Sequence, residues 1–147
     1  MTTPNAQSLE GLIERVKAAT GPDRELDIAI GTTLGGWTYQ PHVSHNFKWN
    51  DGKFDRPNGP PSYTASIDAA LALVERCLPE WVVADLSQNS RHAGDPWGCE
   101  LAFYHGRDPS QNRRGVSGYQ YSSAALAIIA ALLNALLTAM QEQNNER

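Results

Sequence analysis

Few residues in this 147-residue chain carry reactive side chains, and those that do are scattered. Among its four histidines, His42 and His45 are three apart. In a loop or strand that offset sends the two rings to opposite faces, whereas a structural zinc needs four convergent ligands. Cys77 and Cys99 have no Cys-x-x-Cys partner, and neither lies near a histidine in sequence. No metal or cofactor is expected. Ser66 and Asp68 read most simply as a helix cap and a first-turn acid favoured by the helix dipole. No Gly-x-Ser-x-Gly elbow or papain-like cysteine context occurs, and no acid pair for glycoside chemistry can be singled out from scattered Asp and Glu. The reading leans away from an enzyme.

Anion recognition gives two places to compare. The run Gly31-Thr32-Thr33-Leu34-Gly35-Gly36 resembles a glycine-rich phosphate loop. It lacks the Gly-Lys-Ser/Thr ending and closes a helix, whose C-terminus repels anions, so it is rejected. Tyr63-Thr64-Ala65-Ser66 instead opens a helix, where free N–H groups and the dipole attract negative charge. Capping by Thr64 or Ser66 is the competing account. Trp37, Tyr39, Trp49, Tyr63 and Trp97 could stack a base, and Arg91, Arg107, Arg113 or Arg114 could meet a phosphate. The candidate ligand set is therefore Trp37, Tyr39, Tyr63, Thr64, Ser66, Arg91, Trp97 and Arg113, for a nucleotide-type small molecule. Against it stands the reading in which the tryptophans fill a sheet–helix interface.

The elements that must position these residues follow from periodicity. Residues 1–7 read as a loose tail. Ser8 is placed to cap a helix over 8–19, with Leu9, Leu12, Ile13 and Val16 on one face. Gly21-Pro22 ends it, and Asp23 caps a second helix over 24–34. From 37 to 61 aromatics alternate with polar residues. Asn50-Asp51-Gly52-Lys53 marks a hairpin between short strands at 47–49 and 53–54. The next helix shows Ile67, Ala70, Leu71 and Val74 as its stripe, with Asp68, Glu75 and Arg76 turned away, and Pro79 stops it. Strands are expected at 81–86 and 99–104, joined by a polar loop over 87–95. The second alternates Cys99, Leu101 and Phe103 with Glu100, Ala102 and Tyr104. Residues 106–118 read as a mobile basic loop. Ser122-Ser123 caps a last helix over 124–141, and 142–147 read as a frayed tail. The pattern predicts one α+β domain over 8–141, a small antiparallel sheet sandwiched between helices in helix–sheet–helix layers.

Bulk properties narrow the function. The net charge of −4 and a pI near 5.5 argue against bulk nucleic-acid binding, which requires a basic face. Met1-Thr2-Thr3-Pro4-Asn5 lacks the basic and apolar regions of a secretory signal, so free thiols in a reducing compartment are expected. The apolar stretch Ala124–Met140 is Ala-rich, carries Asn134 and has no basic anchors. It is read as a buried helix, not a membrane span, and as the surface of a homo-oligomer.

Several stretches together resemble the phage ABA sandwich family, small proteins of bacteriophages and prophages. They are Leu9-Glu10-Gly11-Leu12-Ile13-Glu14-Arg15, Gly21-Pro22-Asp23-Arg24-Glu25-Leu26-Asp27, and Pro61 through Tyr63-Thr64-Ala65-Ser66-Ile67-Asp68-Ala69-Ala70-Leu71 to Leu73, followed by the C-terminal Ala/Leu helix. The likeness spans nearly the whole chain, departing from the pattern at 108–116. It implies a helix–sheet–helix sandwich and a phage origin, hence the cytoplasm of an infected bacterial host, but no reaction. The expectation is a small non-enzymatic accessory protein that binds a partner or ligand, with sequestration of a nucleotide second messenger of host defence as its most testable form. An enzyme degrading such a messenger and a virion-associated subunit are the alternatives.

Overall fold

The structure is a computed structural model that describes residues 4–40, 49–51, 55–56, 59–89 and 96–145. Helix α1, Ala6–Ala18, begins two residues before the expected start. Asn5 is its cap, and Ser8 plays the reciprocal part. The Asn5 side chain accepts from the Ser8 N–H at 2.8 Å, while Ser8 Oγ accepts from the Asn5 N–H at 3.1 Å. This is a capping box with serine in the place usually held by Glu or Gln. Leu9, Leu12, Ile13 and Val16 are buried as the period demands. Asp23 caps α2, Arg24–Thr33, by accepting from the Leu26 N–H at 3.1 Å.

A short antiparallel sheet follows, in the order β1 (Thr38–Tyr39), β2 (Trp49–Asn50) and β3 (Asp55–Arg56). Its β2–β3 hairpin pairs Asn50 with Asp55, with strands slightly later than expected, and the expected turn residues Gly52 and Lys53 lie outside the described residues. The expected strand residues Phe47, Lys53 and Phe54 lie outside the described residues.

Helix α3 runs Ile67–Cys77. Its buried stripe is Ala70, Leu73 and Val74, while Ile67 is 44% exposed. The expected stripe is thus rotated by part of a turn, because residues 67/70/71/74 and 70/73/74/77 both satisfy helical spacing and only the approaching neighbour selects one.

The second sheet is antiparallel, in the order β4 (Val82–Gln88), β5 (Trp97–Phe103) and β6 (Arg113–Val116). Strand β4 continues through Ser87 and Gln88, residues read from their polarity as loop. Strand β6 lies wholly within the expected mobile basic loop. Arg113-Arg114-Gly115-Val116 has little intrinsic strand signal; its pairing is supplied by β5, in register Phe103↔Arg113 through Glu100↔Val116.

Helix α4, Ala124–Asn145, extends four residues into the stretch expected to fray. Ser123 opens it by accepting from the Leu126 N–H. Ala124 to Leu133 and Ala135 are all buried. The helix packs on β5 and β6 and at the margin of β4, and also against α1 and α3, while α2 packs on α1. The fold is α+β with small antiparallel sheets, and its middle layer is α4 itself. One face of the three-stranded sheet is turned from α4 and carries the Glu100–Arg114 ion pair beside the exposed Val82 and Val116. By length and composition α4 could also cross a membrane, but 61% of its most apolar window is buried within this fold. The apolar residues expected to form an oligomer contact are used inside the chain over 124–133.

Candidate functional site

A cleft of about 220 Å³ opens where the end of α2 meets α3, walled by Trp37, Pro61, Tyr63 and Leu73, with Asp51 and Arg76 at its polar side. The aromatic wall stands because α2 and the turn that follows it present glycines to it. A Cβ on Gly31 would lie 2.5 Å from Pro60 Cβ, and one on Gly35 would lie 2.7 Å from the Tyr63 hydroxyl. Both are below contact distance, so Pro60 and Tyr63 seat against bare backbone. The run rejected above as a phosphate loop is this docking surface.

Thr64 locks the wall in place. Its hydroxyl donates to Asp27 Oδ1 at 2.7 Å and accepts from the Asp23 N–H at 2.8 Å, while its own N–H donates to the same Asp27 oxygen at 2.7 Å. Thr64 and Asp27 are both buried, and Arg24 lies 3.6 Å from the other carboxylate oxygen. Of the two candidate caps, Ser66 is the one used: its Oγ accepts from the Ala69 N–H at 3.1 Å. The anion site expected at Tyr63–Ser66 is therefore not open. Its hydroxyls and the Thr64 N–H are spent internally, and a buried carboxylate already stands there to repel an incoming anion.

The positive end of the cleft lies at the opposite end of α3. Arg76 is exposed in the last helical turn, and its guanidinium makes no hydrogen bond or ion pair among the described residues. Its field reaches Tyr63, whose hydroxyl is nonetheless pushed up to about 12, chiefly because burial disfavours the phenolate; a hydrogen bond from Trp37 and the charge of Arg76 oppose this. Tyr63 is therefore a neutral wall and a hydrogen-bonding group at ordinary pH, not a base.

Of the eight expected residues, Trp37 and Tyr63 line the cleft, and Thr64 and Ser66 position it. Tyr39 lies on the small sheet, exposed and paired with Trp49 at 5.0 Å between ring centroids. Trp97 belongs to the other sheet, where its backbone exchanges hydrogen bonds with Tyr121. Arg113 is on β6, paired with Glu142. Arg91 lies outside the described residues. Sequence reasoning missed Arg76, although its exposure was legible, because nothing local says that an aromatic wall faces it.

Among the described residues, reactive groups give no constellation. Cys99 is buried and its thiol is pushed up to about 12, by burial first and by Asp85 and Glu100 second. Burial likewise raises the Cys77 thiol, which leaves both poor nucleophiles. Among the described residues, no group of three His, Cys, Asp or Glu side chains could hold a metal ion; His42 and His45 lie outside them. No family model, curated protein or solved structure matches the chain.

Proposed function

We propose that the protein is a small ligand-binding accessory protein, and that its ligand places a planar group against Trp37 and Tyr63 and a negative charge on Arg76. The observation that carries this reading is an exposed guanidinium, unpaired among the described residues, at the edge of an aromatic-walled cleft. The size of the cleft limits what enters it. At about 220 Å³ it falls below the roughly 300–1,000 Å³ that enclose a drug-sized ligand. It suits one ring or one phosphate-bearing end of a nucleotide, and the rest of a larger messenger would project into solvent. The resemblance to phage proteins suggests the setting, sequestration of a nucleotide signal in an infected bacterium.

Thermal denaturation with AMP, GMP and cyclic dinucleotides tests this. At about 100 times the dissociation constant a bound ligand stabilises by roughly 2.7 kcal/mol. Arg76→Gln should cost about tenfold or more in affinity, the size of one charge-assisted hydrogen bond. Absence of any shift, or equal affinity in Arg76→Gln, would overturn the proposal. Recovery of the ligand chemically unchanged separates binding from degradation.

A further inference from the structure

A second site lies at the far end of α4. Two clefts of about 280 and 300 Å³ share Trp81 and Arg113 and therefore flank that pair on either side. One runs along Ala135 and Ala139 of α4 to Glu142; the other runs over Leu78, Phe103 and Cys77. They exist because β5 and β6 continue past the point where α4 offers side chains large enough to cover them. Phe103 and Arg113 pair across the strands, and α4 lines the cleft beside them with Ala135, Thr138 and Ala139 before Glu142. The Trp81 and Phe103 rings, 6.3 Å apart, form the apolar floor.

Arg113 is oriented and only partly used. Its Nε donates to Glu142 at 3.0 Å, and its Nη1 donates to the carbonyls of Asn112 at 3.0 Å and Ser110 at 3.3 Å. Nη2 makes no hydrogen bond among the described residues. These three bonds hold the group in one orientation, with a donor arm left over beside an aromatic floor. Glu142 is not a fixed partner: both side chains are more than a third exposed, and such pairs contribute about 1 kcal/mol or less. An incoming carboxylate can take Nη2 and displace Glu142 into solvent. Glu80 also borders the cleft and sets the other side of the competition, since it favours a cation.

We propose that the Trp81–Arg113 clefts bind an apolar monocarboxylate, its acid group on Arg113 and its hydrocarbon body along Trp81, Phe103 and the alanine face of α4. The commitment to an acid rests on geometry: the arginine sits at the junction of both clefts, whereas Glu80 and Glu142 each border one. Calorimetric titration of the full chain with decanoate, decanol and decylamine tests it. Saturable one-to-one binding of decanoate, at least tenfold tighter than either control, is expected. Arg113→Gln should weaken it about tenfold, and Ala139→Leu, which fills the cleft and leaves the Arg113–Glu142 pair intact, should do the same. Arg76→Gln should leave it unchanged, which separates this site from the first. Failure of decanoate to saturate at millimolar concentration, decylamine binding as tightly, or unaltered decanoate binding in Ala139→Leu would overturn the proposal. If Arg113→Gln does not fold, Ala139→Leu decides.

Discussion

Replacing Thr64 by valine removes one hydroxyl from a buried junction and alters little else. Two groups lose a partner. The Asp23 N–H loses the acceptor it reaches at 2.8 Å, and Asp27 Oδ1 loses one of its two 2.7 Å donors, keeping the Thr64 N–H. A buried polar group left without its partner costs about 1–3 kcal/mol, toward the upper end when the partner is charged. Thr64→Val should therefore destabilise by roughly 2–4 kcal/mol, or roughly 6–12 °C in melting temperature for a chain of this size. Thr64→Ser keeps the hydroxyl and loses one methyl, so about 1 kcal/mol is expected. Urea denaturation gives both values, with an unchanged slope showing that compactness is unaltered. Because Thr64 holds Tyr63 in the cleft wall, the valine variant should also bind nucleotide less tightly than the serine variant. A valine variant as stable as the serine variant would refute the reasoning, for the hydroxyl would then contribute nothing.

Other consequences concern the middle layer and the buried acids. A Cβ on Gly115 would lie 2.5 Å from Ala135 Cβ and 2.6 Å from the Ala131 carbonyl oxygen, so Gly115→Ala should cost about 1–3 kcal/mol through overpacking of α4 on β6. Gly106→Ala, at a position with open space around it, is the control, and equal urea midpoints for the two variants would contradict the close approach. Alkaline stability follows from Tyr63 and Cys99, both pushed up to about 12 from 10.0 and 9.0. Between pH 9 and 12 the folded chain keeps protons that the unfolded chain has lost. The contribution of these two groups is thus constant below pH 9 and is lost as pH rises through this window. Urea midpoints measured from pH 8 to 11 should decline, Tyr63→Phe should reduce the decline above pH 10, and a flat profile would show that these groups are not desolvated.

Local spacing settled much of this fold. The face of α1, the Asp23 cap and the inward set Cys99 and Leu101 depend on neighbours within one or two turns of chain, so the sequence determines them by itself. Other features depend on which distant surface arrives. The stripe of α3 had two acceptable rotations until α4 chose Leu73 over Ile67. Strand β6 exists through its pairing with β5, because Arg113-Arg114-Gly115-Val116 has no strong preference of its own. The apolar circumference of α4 was legible, but its position between the sheet and the outer helices was not, since an all-round apolar helix can satisfy itself against its own chain, a second copy or lipid. The site divides the same way. Trp37 and Tyr63 stood out by type, whereas Thr64 became a clamp only when folding set Asp27, 37 residues away, against it. Arg76 came to share a cleft with Trp37 and Tyr63 only because Gly31 and Gly35 let the aromatic wall settle beside it.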